Sequence, residues 1–126
     1  MPQFIFILFT GLCLGSFASL LAYRLPRGLP WGAVRSQCPA CGHVLGAADL
    51  IPLVSWIILR GRCRYCQSPV SIRYLLLEIA GAGTAAGFYL LIGWHWALIP
   101  ALALTPFVMA FALMRLWPSM HDQAPR

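Results

Sequence analysis

The chain of 126 residues has no lysine and only three acids, Asp49, Glu78 and Asp122. Charged residues make up 10% of it, against roughly 25% in an ordinary soluble domain. So little charge excludes a water-facing domain of this size, whose surface these side chains would cover poorly. So few acids restrict any mechanism that needs a pair of carboxylates. Disorder is excluded from the other side, because 60% of the residues are apolar. A membrane protein remains, with nine arginines and a net charge of +6.

Residues 4–23 contain no charged side chain, and as a helix they would span ~30 Å, the hydrocarbon thickness of a bilayer. The competing reading is a cleaved signal peptide, which starts with positive charge and has a shorter apolar run. Here Met1-Pro2-Gln3 carries no side-chain charge, and Arg24 and Arg27 come after the run. Arginine-rich short loops stay in the cytoplasm, so the N-terminus is expected outside and the following segment inside.

The organisation expected is a first transmembrane helix over 1–23, a cytoplasmic loop domain over 24–73, a transmembrane hairpin over 74–117 and a tail over 118–126. Seven of the nine arginines fall in the loop domain, with one acid, Asp49. The hairpin has spans at about 74–92 and 97–116, joined by an outer turn with Trp94 and Trp96 at the interface. Arg115 and Trp117 mark its inner end. Pro100 and Pro106 should kink or interrupt the last span. Residues 50–59 form a further apolar run, too short to cross a bilayer and therefore interfacial, re-entrant or the core of the loop. No internal repeat is visible. The fold class is thus membrane all-α, with about three transmembrane helices and a small zinc-ribbon-like loop domain between the first and second.

Cys38-Pro-Ala-Cys41 and Cys63-Arg-Tyr-Cys66 are the strongest motif. Two thiolates at this spacing chelate one ion from a tight turn, and two such turns close a tetrahedron around Zn²⁺. Gly42 and Gly61 suit the cramped turns. A pair of disulfides would require an oxidising compartment, whereas the arginine bias places the loop in the reducing cytoplasm. Four thiolates leave no open position for water, so the zinc is structural and folds a loop too small for a core of its own. His43 reads as a solvated neighbour and Cys13 as a small buried apolar residue.

Glu78 is the informative acid, because a carboxylate within a span is a functional candidate by default. It is the candidate catalytic residue, within reach of Arg73 or of a substrate's positively charged amino terminus. Its alternative role is that of a snorkelling or arginine-paired structural residue. Gly11-x-x-x-Gly15 and Gly83-x-x-x-Gly87 are small-residue faces for close helix approach. Arg60, Arg62 and Arg64 alternate beside the second cysteine pair and read as contacts to anionic lipid or as charges that orient the chain, with substrate binding as the alternative. Nucleic acid is not expected as a partner, since the arginines flank spans rather than stripe a free domain.

Taken in order, Gly11-Leu-Cys-Leu-Gly15-Ser16-Phe17, Arg24-Leu25-Pro26, the two cysteine pairs, Ile51-Pro52-Leu53-Val54-Ser55-Trp56, Leu59-Arg60-Gly61-Arg62-Cys63 and Arg73-Tyr74 with Glu78 resemble the N-terminal domain of bacterial type IV prepilin peptidases, the leader peptidase/N-methyltransferase family. The resemblance covers residues ~8–80. It implies a polytopic inner-membrane protein with a cytoplasmic zinc-bearing loop and a prepilin-like substrate. It also implies S-adenosylmethionine as donor for methylating the substrate's amino terminus. The family's peptidase chemistry uses two aspartates, one in a Gly-x-Gly-Asp motif, and this sequence has neither that motif nor a carboxylate pair. Cleavage would then need a separate aspartyl-peptidase chain. The alternative is a non-enzymatic, zinc-stapled membrane scaffold or partner subunit of a pilus or type II secretion system. Ser19 and Leu75 depart from the family's usual Asn and Pro.

Overall fold

The computed structural model describes residues 1–116 apart from 31, 33, 34 and 39. Trp117, Asp122 and the expected tail lie outside the described residues. Three long helices dominate: α1 (Pro2–Arg24), α3 (Ile72–Ile92) and α4 (Leu98–Leu116). All three are long and apolar enough to cross a membrane. Among the described residues, one short helix, α2 (Val54–Ile58), lies in the segment between α1 and α3, with 3₁₀ turns at Leu25–Arg27 and Ala47–Leu50. This is the expected all-α membrane architecture.

Each helix end has a local cause. Pro2 starts α1, where a missing N–H costs nothing. The Ser71 hydroxyl accepts the Arg73 N–H at the start of α3. Gly93, at φ +72°, ends α3, and the turn that follows reverses the chain. Pro106 lies inside α4 and does not interrupt it, and Pro100 falls in its first turn. The hydroxyl of the neighbouring Thr105 instead turns back to the Ala101 carbonyl at 2.9 Å.

Helix α1 is the central element and packs against both α3 and α4. Near its start Ile7 is buried with Ala85 and Leu98, and near its end Leu21 and Ala22 are buried with Ala110. These pairings make α3 antiparallel to α1 and α4 parallel to it. Large apolar side chains such as Phe9, Leu91, Ile99 and Val108 point outward, an arrangement that suits lipid rather than water.

The seam between α1 and α3 is made of backbone. A Cβ on Gly11 would come within 2.6 Å of the Ala82 Cα, and one on Gly15 within 2.8 Å of the Glu78 Cα. A Cβ on Gly81 would come within 2.8 Å of the Gly15 Cα. The expected Gly83/Gly87 face is not the one used, for neither glycine has anything within 4 Å of its missing Cβ. The buried face of α3 is instead Glu78, Gly81 and Ala85, at the 3–4 residue spacing of one helix stripe. Cys13, expected to be buried, is exposed on the outer surface of α1.

Candidate metal centre

The two cysteine pairs sit on matching turns. In the first, the Cys38 N–H donates to the His43 carbonyl and the Gly42 N–H to the Cys38 carbonyl, with Gln37 bridged to Val44. In the second, the Cys63 N–H donates to the Ser68 carbonyl and the Gln67 N–H to the Cys63 carbonyl, with Arg62 bridged to Pro69. Every partner is offset by 25 residues. This is a structural repeat that the sequence hides, because only the cysteines recur. The residue after each pair has positive φ, Gly42 at +70° and Gln67 at +61°. Gly61 does not serve the second turn. It also has positive φ, +69°, and lies under Trp56, where a Cβ would come within 2.8 Å of the indole.

The turns bring the four sulfurs of Cys38, Cys41, Cys63 and Cys66 within 4.8 Å of one another. Zinc bound to sulfur at about 2.3 Å sets tetrahedral sulfurs about 3.8 Å apart. The Cys38 and Cys66 sulfurs are 3.8 Å apart. The donor set and its spacing therefore fit a four-thiolate metal site, and the cysteines are free thiols. Cys38 and Cys63 are buried, Cys66 is half-buried and Cys41 is exposed.

The thiols are unequal. Hydrogen bonds from Ser68, first from its hydroxyl and then from its backbone, pull Cys66 down to about 6. The backbone of His43 pulls Cys41 down as well, but desolvation and the neighbouring Cys66 and Cys38 outweigh it and leave that thiol raised to about 11. His43 is not among the clustered sulfur ligands. It stacks on Tyr65 at 3.7 Å between ring centroids and so ties the first turn to the second.

Asp49 provides a further tie. Its carboxylate accepts the Arg64 Nε at 2.6 Å, the Tyr65 hydroxyl at 3.0 Å and the Gly46 N–H at 3.0 Å. These bonds, led by that from Arg64, hold its carboxyl below the usual range. The loop's acid is thus spent in fastening the 3₁₀ turn at Ala47–Leu50 to the second cysteine turn.

The loop is fastened to the helices through Glu78. Its Oε2 accepts the backbone N–H of Leu53 at 2.6 Å, and Ser16 of α1 approaches the same carboxylate. Leu53 has φ +63° and ψ −52°, and the Val54 N–H reaches back across it to the Pro52 carbonyl. This is the rare, strained form of γ-turn. At the end of α1, the buried Arg24 donates to the Pro30 carbonyl, and Arg27 stacks over Tyr23 while donating to its carbonyl. Glu78 and the cysteine cluster are separate features joined through residues 49–66. No sequence signal marked Leu53, because nothing in Ile-Pro-Leu-Val announces a positive φ at leucine.

Two clefts accompany these features. One, of ≈ 600 Å³, is lined by Ile58, Leu59, Arg60, Arg62 and Gln67. The other, of ≈ 230 Å³, is apolar and lies at the opposite end, where Phe6 and Ile7 of α1 meet Trp94 and Trp96.

A zinc-type turn pair fastened between two membrane helices can be compared with known proteins. The Bacterial Peptidase A24 N-terminal domain family matches residues 9–96. The chain belongs to this family. It is 39% identical over 112 residues to a prepilin leader peptidase/N-methyltransferase of Myxococcus xanthus, covering 89% of this chain and 33% of that protein. It is 35% identical over 135 residues to one of Burkholderia pseudomallei, covering 87% of this chain and 44% of that protein. One of Aeromonas hydrophila is 34% identical over 129 residues, covering 83% and 44%. The chain therefore spans a third to under a half of the length of these Peptidase A24 relatives. No solved structure matches it at a significant level.

Proposed function

We propose that these 126 residues act in the bacterial inner membrane as a prepilin-engaging module, with the N-terminus outside and residues 24–73 in the cytoplasm. Cys38, Cys41, Cys63 and Cys66 hold one structural Zn²⁺, which supplies no chemistry beyond fixing the two turns. Residues 1–23 and 74–117 act as the membrane part, and residues 118–126 as a tail. The observation that carries the reading is the clustering of four thiols on a loop fastened to α3, in a chain of the Peptidase A24 family.

The module engages type IV prepilin-like proteins, and its candidate chemistry is N-methylation of their amino terminus. Glu78 is the residue we assign to that step, as the carboxylate that would receive the positively charged terminus and accept its proton, leaving the neutral amine to take the methyl group as the demethylated donor departs. S-adenosylmethionine would supply the methyl group, but neither cleft brings a carboxylate to a ribose, and we assign it no binding residues. Peptidase activity is not assigned to these residues. Water activation by two carboxyls needs them close enough to share a proton, whereas Asp49 is bound by Arg64 and Glu78 by Leu53.

A scaffold role is the second reading, and one observation favours it: Glu78 already serves as a structural acceptor for Leu53. Incubating the purified chain with a leader-free pilin and labelled S-adenosylmethionine separates the two. Transfer of label to the pilin that is lost in Glu78→Gln supports the enzyme. Pilin binding without transfer supports the scaffold. Leader cleavage by the chain alone would contradict both, and cleavage is expected only when an aspartate-bearing half is added in trans.

A further inference from the structure

The hydrogen bond from Leu53 to Glu78 sets the depth of α2. Glu78 lies six residues beyond the start of α3, about 9 Å along its axis, and Ser16 lies eight residues before the end of α1, about 12 Å. The turn that opens α2 is therefore drawn in along α1 and α3 from these ends, which, with both helices read as spans of a hydrocarbon core about 30 Å thick, corresponds to the level at which headgroups meet acyl chains. At that level α2 exposes Val54, Ile57 and Ile58, which are 46%, 58% and 68% accessible and share one face at spacings of three and four. Three large apolar side chains exposed together to water would be unfavourable, while the same face against acyl chains is favourable.

Where this face ends, the cleft of ≈ 600 Å³ begins, with Ile58 and Leu59 on its apolar side and Arg60, Arg62 and Gln67 on its polar side. Both acids among the described residues are engaged elsewhere, Asp49 by Arg64 and Glu78 by Leu53. Arg60 and Arg62 consequently have no carboxylate of this chain to neutralise them among the described residues. Two guanidiniums above an apolar face, at headgroup depth, complement an anion that carries acyl chains.

We propose that this cleft binds the phosphate headgroup of an anionic phospholipid, with Arg60 and Arg62 on the phosphate and Val54, Ile57 and Ile58 against the lipid's chains. The inference rests on the helices being membrane spans, but not on prepilin recognition or methyl transfer. The lipid would hold α2 down at the point where Glu78 holds its first turn.

The test uses the zinc-loaded full chain in detergent with equal amounts of phosphatidylglycerol and phosphatidylcholine, the retained lipid being read by native mass spectrometry. Phosphatidylglycerol should be retained in preference. Arg60→Gln/Arg62→Gln should lower its retention roughly tenfold, while Arg35→Gln leaves it unchanged. Zinc content reports whether each variant is folded, and if the double variant loses zinc, Arg62→Gln alone gives the reading with a smaller loss. Equal retention of the two lipids, equal retention by wild type and the arginine variant, or an equal loss in Arg35→Gln would overturn the proposal. So would displacement of the lipid by excess inorganic phosphate, which would mark the cleft as a site for the free anion. Methyl transfer to pilin is measured separately, so its failure leaves this result readable.

Discussion

The Glu78 carboxylate, two turns into α3, accepts the backbone N–H of Leu53 at 2.6 Å and so joins the cysteine-bearing loop to the membrane helices. The residue it holds is strained, with φ +63°. A buried carboxylate and a high-energy backbone turn stabilise each other, because the turn aims an N–H at an acceptor that water would otherwise have to satisfy.

Glu78→Ala should therefore free the segment at 51–58 and cost about 1–3 kcal/mol, the penalty for leaving a shielded N–H without a partner. Glu78→Gln keeps an acceptor oxygen and should cost less. Amide hydrogen exchange at Leu53 and Val54 checks this, with protection lost in the alanine variant and largely kept in the glutamine variant. Unchanged protection in both would remove Glu78 from its structural role.

The glycines of α1 and α3 give a contrast between packed and open positions. Gly15→Ala and Gly81→Ala place a methyl group against facing backbone and should each cost about 1–3 kcal/mol or more, because backbone cannot step aside as a side chain can. Gly83→Ala and Gly87→Ala meet open space and should be neutral or slightly stabilising. Thermal inactivation of the four variants in one detergent provides the comparison.

The matching cysteine turns differ at the residue that takes positive φ. Gly42 is comfortable at +70°, whereas Gln67 at +61° bears a penalty of roughly 1 kcal/mol. Gln67→Gly should slow zinc loss to a chelator, and Gly42→Val should hasten it by more than tenfold. A slower release from Gly42→Val would contradict the assignment of the two turns as equivalent.

The Asp49 carboxyl, held low chiefly by Arg64, lends stability that is complete above the ordinary carboxylate pKa of about 4 and is lost as the pH falls through its lower folded value. The stability difference between wild type and Asp49→Asn should therefore stay constant from pH 8 to about 5 and shrink below about 4. A difference that begins to shrink near pH 7 would implicate another group.

The helices and the cysteine cluster were legible in the sequence for simple reasons. Twenty uncharged residues can only be satisfied in lipid as a helix, and two Cys-x-x-Cys pairs at this separation match the ligand spacing of a four-thiolate metal site. The helix seam was less legible. Gly81, Gly83 and Gly87 look alike in sequence, and only the partner surface on α1 selects Gly81. The repeat of the cysteine turns was hidden because backbone hydrogen bonds define it, and Gln67 stands where the first turn has glycine. Leu53 was the least legible, since its strain is compensated by an acid 25 residues away.

Metal analysis of the purified chain tests the central claim most directly. One zinc per chain is expected in the wild type and almost none in Cys63→Ser/Cys66→Ser, whose loop at 35–70 should then be open to protease while α1, α3 and α4 stay intact. Near-full zinc content in that double variant, or a wild-type loop equally resistant to protease after the metal is stripped, would contradict a four-thiolate site that folds the loop.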